Sequence, residues 1–271
     1  MEKSTLIGIV LGIVAVVVGM ILKHASPSAL LNPAAFMIII VGTIAALFNA
    51  FPMSEIKRIP SLFKVIFSEQ KLPAKRELIG QFMNWASIAR REGLLALENT
   101  SDEIEDPFLR NGMKMIIDGG EPDFVRDVLN EEIHAIEERH QAGALVFSQA
   151  GSYAPTLGVL GAVVGLIAAL GNLSDIDALG VSIAAAFVAT LLGIFTGYVL
   201  WHPFATKLKR KSKQEIEIKK IMVEGLLSIQ AGVSPAAIEQ KLLVYIPYNE
   251  RSEMKEEMKE EKREEGAAVN G

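Results

Sequence analysis

The sequence of 271 residues contains no cysteine, so it offers no disulfide, no thiolate nucleophile and no cysteine-based metal site. Aromatic residues make up only 7% and charged residues only 22%, yet half of the chain is hydrophobic and the mean hydropathy is +0.32. The apolar residues must therefore be concentrated in segments, which excludes a disordered chain, a collagen-like fibre and a disulfide-rich scaffold. The net charge of −5 argues weakly against nucleic acid as a partner.

Charge is also missing from four long stretches of the chain. Each stretch is long enough for the roughly 20 residues that a bilayer helix needs, and its continuous apolar run does not alternate as a barrel strand does. A cleaved signal peptide is the alternative for the first stretch, but that apolar run is longer than a typical signal-peptide core and three others follow. The predicted transmembrane spans lie near Thr5–Leu22, Ala34–Phe51, Phe147–Leu170 and Ala178–Trp201.

Lysine and arginine are distributed unevenly around these spans. They are frequent in residues 57–76 and 207–220, whereas the two loops on the other side of the membrane hold only Lys23. Because positive charge is retained in the cytoplasm, both termini are predicted to be cytoplasmic, together with residues 55–140 and 202–271.

The two blocks assigned to the cytoplasm have the pattern of helices. Asp106-Pro107 and Ser234-Pro235 each combine a capping side chain with a proline in the first turn, which predicts a helix start. Residues 123–142 contain neither glycine nor proline, so a cytoplasmic helix is expected to continue into the third span. One apolar helix face, with i, i+3, i+4, i+7 spacing, consists of Ile79, Phe82, Met83 and Ala86.

The predicted fold is an all-α membrane protein with four transmembrane helices and a helical cytoplasmic domain built from the 55–140 loop and the C-terminal segment. We expect the first two transmembrane helices in 1–54, a cytoplasmic helical domain in 55–140, the last two transmembrane helices in 141–201, cytoplasmic helices in 202–248 and a charged flexible tail in 249–271.

The four predicted spans contain no Asp, Glu, Lys or Arg. Because ion pathways in membranes normally need an ionisable or oxygen-rich site, either this chain moves no ion or a partner supplies the carboxylate. Counted from a hairpin tip near Ser174, Thr156 and Thr190 lie at depths that agree within about 3 Å. They either line a pathway or donate to their own helix backbone, which is common for membrane threonines.

Small residues and prolines mark the last two spans. Glycines at this spacing allow close helix packing, and each proline removes a backbone hydrogen bond and predicts a kink or a hinge. The glycines are Gly158, Gly161, Gly165, Gly193 and Gly197, and the prolines are Pro155 and Pro203.

No motif for catalysis is present. The sequence has no Walker A motif, no GxGxxG, no HExxH and no pair of membrane aspartates, so we expect no enzyme, no cofactor and no metal site.

Three segments resemble a known family over nearly the whole chain. They are AGSYAPTLGVLGAVVGLIAAL in the third span, GYVLWHPFATKLKRK at the end of the fourth, and ARREGLLALE in the first cytoplasmic block. With the arrangement of two plus two spans, they resemble the MotA stator proteins of the flagellar motor, in the MotA/TolQ/ExbB proton channel family. This implies a multi-pass protein of the bacterial cytoplasmic membrane.

The resemblance implies a ring of five copies around a dimer of MotB, whose single membrane helix supplies the missing aspartate. It implies that Thr156 and Thr190 line the ion path and that Phe187 contacts the partner helix. Pro155 and Pro203 match prolines that couple ion passage to movement.

The resemblance further implies that Arg90 and Glu98 engage the rotor protein FliG, with Arg91 as an alternative to Arg90. Without the resemblance, these charges would be interpreted as part of a solvated helix surface. The implied function is an ion channel that converts ion flow into torque. We favour the proton, because nothing beyond the threonines resembles a dedicated sodium site, with sodium as the alternative. An ExbB/TolQ-type energiser is the alternative function.

Overall fold

The computed structural model describes residues 2–171, 173–248 and 251, and regular secondary structure within these ranges is helical throughout, which confirms the predicted all-α fold. The predicted tail, 249–271, lies outside the described residues except for Arg251. The α-helices are α1 (Lys3–Leu22), α2 (Pro33–Phe36), α3 (Gly42–Ala50), α4 (Met53–Ile56), α5 (Ile59–Phe67), α6 (Lys75–Glu92), α7 (Glu98–Glu103), α8 (Pro107–Ile117), α9 (Pro122–Leu170), α10 (Ile176–Phe195), α11 (His202–Gln230) and α12 (Pro235–Leu242). Short 3₁₀ turns occupy Pro27–Leu30, Leu94–Leu97 and Leu243–Tyr245, and π-helical turns occupy Met37–Val41 and Thr196–Trp201.

Four helical stretches are long and apolar enough to cross a membrane: Lys3–Leu22, Pro27–Ala50, Pro122–Leu170 and Ile176–Gln230. Each overlaps one predicted span, so the predicted number of candidate spans is confirmed. The third is one continuous helix of 49 residues, as the lack of glycine and proline in 123–142 predicted.

The described residues of Met1–Gln70 and Glu138–Ser212 form a first compact unit, which holds all four predicted spans. No residue of α1 is fully buried, although Gly12 packs closely against Val199 of the π-helical turn. Aromatic rings pack α5, α9 and α11 together near the ends of the predicted third and fourth spans: the Phe63 ring centroid lies 5.1 Å from that of Phe147 and 6.2 Å from that of Phe204.

The described residues of Lys71–Glu137 and Lys213–Gly271 form a second compact unit with a larger apolar core. On α6 the predicted apolar face is confirmed, since Ile79, Phe82 and Ala86 are buried and Met83 packs against the same core. Both predicted helix starts are also confirmed: the Asp106 carboxylate accepts from the Leu109 N–H at 2.9 Å, and the Ser234 hydroxyl accepts from the Ala237 N–H at 3.4 Å.

Candidate ion pathway

The helices α9 and α10 approach so closely that a side chain would not fit at several positions. A Cβ atom built on Gly158 would lie 2.9 Å from the Gly193 Cα, and one built on Gly165 would lie 3.0 Å from the Ala186 Cβ. The predicted close packing of these spans is therefore confirmed. We call this contact the glycine seam; its residues are Gly158, Gly161 and Gly165 of α9 and Ala186, Ala189 and Gly193 of α10.

Pro155 extends the same contact into the π-helical turn Thr196–Trp201. Because proline has no N–H, the Gly151 carbonyl loses its helical donor four residues later. Gly197 packs directly over this point, where an added Cβ would lie 2.7 Å from the Pro155 Cγ and 2.8 Å from the Gly151 oxygen. Glycine at 197 thus lets the π-helical turn pack against the turn of α9 where Pro155 removes a backbone hydrogen bond.

Pro203 stands in the first turn of α11, directly after the π-helical turn. A proline inside an α-helix clashes with the carbonyl four residues earlier, here that of Val199, and the wider π turn relieves this clash. Pro203 is exposed and lines a groove of about 400 Å³ against α1, together with Thr5, Tyr198 and Lys207. The two prolines that are predicted to couple ion passage to movement therefore both lie next to the π-helical turn Thr196–Trp201.

The glycine seam corrects the predicted depth of the two threonines. Gly158 lies opposite Gly193, so Thr156 is level with residue 195, and Thr190 lies five residues away along α10. At about 1.5 Å per residue the two threonines are roughly 7.5 Å apart in depth instead of about 3 Å. Counting from Ser174 failed because close packing of the helices, and not the hairpin tip, sets their register.

The two threonines also face different surroundings. Thr190 is half-buried next to the seam, and its hydroxyl donates to the Ala186 carbonyl at 3.4 Å. Thr156 is exposed, about 200° around α9 from Gly158, and donates to the Tyr153 carbonyl at 2.8 Å. Each threonine therefore bonds its own helix backbone. Each oxygen keeps lone pairs for a further donor or a cation, so the two interpretations of these residues are compatible.

Thr156 begins a line of hydroxyls along α9 that contains Ser152 and Ser148 at four-residue spacing. We call these three residues the hydroxyl stripe. The Ser152 hydroxyl donates to the Ser148 carbonyl at 3.2 Å. Phe187, three residues before Thr190, is 72% exposed. These surfaces are uncovered in a single chain.

Arg90 and Glu98 belong to the second unit, where both are exposed at the ends of consecutive helices. Arg90 lies in the last turn of α6 and Glu98 begins α7; Gly93 between them has φ +87°, which favours glycine. Leu97 is fully buried and anchors the intervening turn. Arg90 and Glu98 are therefore exposed on either side of the connection 93–97, and Arg91 is exposed next to Arg90.

Sequence reasoning missed an ion-pair network around Glu2. Its carboxylate lies 3.2 Å from the Lys207 Nζ and 3.3 Å from the Lys211 Nζ, and its N–H donates to the Phe67 carbonyl at 2.9 Å. The hydrogen bond from Lys207, helped by Lys211 and Ser4, lowers the pKa of Glu2 below its usual value. The i, i+4 spacing of the two lysines was a visible signal, but nothing in the sequence linked them to residue 2.

Known proteins match this chain over its length. The family model described as MotA/TolQ/ExbB proton channel family matches residues 100–221, and one described as Motility protein A N-terminal matches residues 6–93. Motility protein A of Bacillus subtilis is 58% identical over 271 residues, which cover 100% of this chain and 97% of that protein. Chemotaxis protein PomA of Vibrio alginolyticus is 31% identical over 93% of this chain and 98% of that protein.

Two solved structures agree with these matches. A chain of the flagellar MotAB stator complex from Bacillus subtilis has a TM-score of 0.89 and 59% identity, covering 93% of this chain and 99% of that one. A chain of C. jejuni MotAB has a TM-score of 0.87 and 32% identity, covering 92% and 97%. The chain therefore belongs to the MotA/TolQ/ExbB proton channel family.

Proposed function

We propose that this chain is a flagellar stator subunit that, with a MotB-type partner, forms an ion channel in the bacterial inner membrane and converts ion flow into torque on the rotor. The observation that carries the proposal is a tightly packed pair of helices whose spans, 147–170 and 178–201, carry hydroxyls but no carboxylate. A chain of a MotAB stator complex matches 93% of this chain.

The missing carboxylate explains why a partner is required. Inserting an aspartate at the centre of a lipid-facing helix costs about 2.5–3.5 kcal/mol on insertion scales, so such a charge is placed inside a bundle. A single membrane helix of the partner, enclosed by about five copies of this chain, supplies an aspartate at such a protected position. Its surroundings include Thr156, Thr190 and Phe187, which a single chain leaves at least partly uncovered.

The coupling step follows from the change of charge on that aspartate. An ion that enters from outside neutralises the carboxylate, and its release restores the charge, so the attraction between the partner helix and the hydroxyls alternates. The membrane potential supplies about 2.3 kcal/mol per charge per 100 mV for this cycle. The helices of this chain bend at Pro155 and Pro203, each of which lies beside an irregular turn.

Torque is delivered through the second unit. Arg90 and Glu98 are both exposed, at the end of α6 and the start of α7, so they are accessible to complementary charges of a rotor protein such as FliG. Arg91, the residue after Arg90, is also exposed. In this orientation both termini, residues 55–140 and residues 202–271 lie in the cytoplasm, as the distribution of lysine and arginine favours.

The proton is the proposed coupling ion. No group of three or more His, Asp or Glu residues able to hold a metal ion occurs among the described residues. Two threonine hydroxyls alone provide fewer oxygens than a desolvated sodium ion needs, whereas they suffice to hydrogen-bond water along a proton route.

The decisive experiment is deletion of the gene in its host, together with any second stator, followed by complementation. Cells that build filaments but do not rotate them, and recover on complementation, support the stator function; rotation in sodium-free medium supports the proton. Cells that swim normally after the deletion contradict the proposal and favour an energiser of the ExbB/TolQ type, which is then identified by capture of an ExbD-like partner.

A further inference from the structure

We propose that His202 accepts the proton at the cytoplasmic end of the pathway and passes it to water, an inference that rests on the proposed function. His202 is the first residue of α11, directly after the π-helical turn, and is half-buried. Imidazole is the side chain that takes up and releases a proton near neutral pH. In the proposed orientation, His202 lies at the cytoplasmic end of the fourth span.

The position of the ring is set by Gly151 of α9. A Cβ atom on Gly151 would lie 2.7 to 2.8 Å from three atoms of the His202 ring, so only glycine admits the ring there. Tyr198 holds the ring from its own helix, with ring centroids 5.3 Å apart. The imidazole is therefore fixed against α9 by packing on one side and by an aromatic ring.

The hydroxyl stripe leads to this position. Ser152 follows Gly151 directly and Ser148 precedes it by three residues, so both serines lie within one helical turn of Gly151, against which the ring packs. Successive members of the stripe, from Thr156 to Ser148, rotate about 40° per step around α9, and this rotation brings them towards the side that packs on His202. Water bound along the three hydroxyls connects the level of Thr156 with the imidazole.

No hydrogen bond or ion pair holds the His202 ring nitrogens within the described part of the chain, so they remain available for exchange. Titratable groups on the elements packed around the ring are Tyr153 on α9 and Tyr198 in the π-helical turn. Lys207, five residues further along α11, is paired with Glu2 at 3.2 Å. A neighbouring carboxylate that would trap the proton on the imidazole is absent from these elements over 147–161 and 196–209.

The proton balance of the relay is simple. A proton released from the partner's carboxyl moves through water along the hydroxyl stripe to one ring nitrogen, which gives an imidazolium. The imidazolium then loses a proton to cytoplasmic water and returns to neutral imidazole. One proton crosses per cycle, and His202 is regenerated.

Two variants separate proton transfer from packing. His202→Phe keeps a ring against Gly151 and Tyr198 but cannot exchange a proton. His202→Ala leaves a space that added imidazole can fill. His134→Ala, an exposed histidine in the second unit, is the matched control.

Each variant is expressed with its MotB-type partner in the deletion strain, and rotation of single motors is measured at stall and near zero load. Proton transfer limits the speed near zero load, whereas stall torque follows from the energy per ion. We expect His202→Phe to slow rotation near zero load by roughly tenfold, less than a full acid–base group contributes because water partly replaces it. Stall torque should change far less, and imidazole should restore speed to His202→Ala but not to His202→Phe.

The inference is overturned if His202→Phe rotates near zero load as the unaltered chain does, or if stall torque and speed fall in equal proportion without rescue by imidazole. Membrane levels of the chain and its partner are measured in every strain, so that a failure of assembly is recognised. If His202→Phe fails to assemble, His202→Gln, which keeps a polar side chain, is measured in its place. The same results for speed and stall torque then support or overturn the inference. Rotation that requires sodium overturns the relay but leaves the stator function intact, whereas a deletion strain that still swims contradicts the proposed function itself.

Discussion

Gly193→Ala should separate α9 from α10 and stop torque generation. In the native seam, a Cβ on Gly193 would lie 2.7 Å from the Ala154 carbonyl oxygen and 2.8 Å from the Gly158 Cα. Both neighbours are backbone atoms, which cannot rotate away. To reach a normal separation of 3.4 Å, the helices must move apart by about 0.7 Å, and overpacking of this kind costs about 1–3 kcal/mol.

Gly180→Ala is the matched control for this substitution. It makes the same change in the same helix, but nothing lies within 4 Å of the added Cβ. Both variants gain the same helix propensity, about 1 kcal/mol in alanine's favour, so a difference between them reports the seam alone.

Thermal stability of the detergent-extracted complex and torque of single tethered motors are measured for both variants. We expect Gly193→Ala to be less stable than Gly180→Ala and to give little or no torque, while Gly180→Ala resembles the unaltered chain. Equal stability and equal torque in the two variants would refute the close approach of the two helices at Gly158.

Three further outcomes follow from the site. Thr156→Ala combined with Thr190→Ala should reduce ion flux and swimming at normal protein levels, and undiminished flux would show that neither hydroxyl lines the path. Arg90→Glu should lower torque without lowering ion flux, with partial recovery when a rotor charge is reversed; full torque at low expression would contradict the rotor assignment. Because Lys207 lowers the pKa of Glu2, the pair stabilises the folded chain above the ordinary pKa of 4.5, and this stability is lost as pH falls through the lowered value. Glu2→Gln should therefore reduce thermal stability at neutral pH and flatten its decline in acid, and identical melting profiles from pH 3 to pH 7 would contradict the role of this pair.

The spans were predictable because lipid imposes a strong constraint on sequence. A helix that crosses a bilayer must avoid charge for about 20 residues, and the four uncharged stretches met that condition. Capping at Asp106 and Ser234 was predictable for a similar reason, since a side-chain oxygen followed by proline satisfies the first turn locally. Features of this kind depend on residues within one turn or one span.

The relative placement of side chains was less predictable because it depends on register between helices. The depth of Thr190 relative to Thr156 was misjudged by about three residues, since the glycines and not the hairpin loop determine which residues lie opposite. The π-helical turn at Thr196–Trp201 has no local sequence mark except the proline that follows it. The Glu2 network joins residues more than 200 positions apart, a distance over which the sequence carries no periodic signal.

The glycine seam and the lack of a carboxylate are two parts of one physical solution. If this chain carried the ion-binding aspartate itself, each copy in a ring would place a charge in its own membrane helix, at a cost of about 2.5–3.5 kcal/mol on insertion scales. That cost exceeds the roughly 2.3 kcal/mol that 100 mV supplies per charge, so the membrane potential would not suffice to return the aspartate to its ionised state in each cycle. With the aspartate on an enclosed partner helix, the proposed function needs no carboxylate within the spans of this chain, only polar side chains along the pathway and a rigid helix pair that transmits the change. Close packing at Gly158 and Gly193 supplies that rigidity, which is why the seam, and not the hydroxyls, is the more sensitive target for substitution.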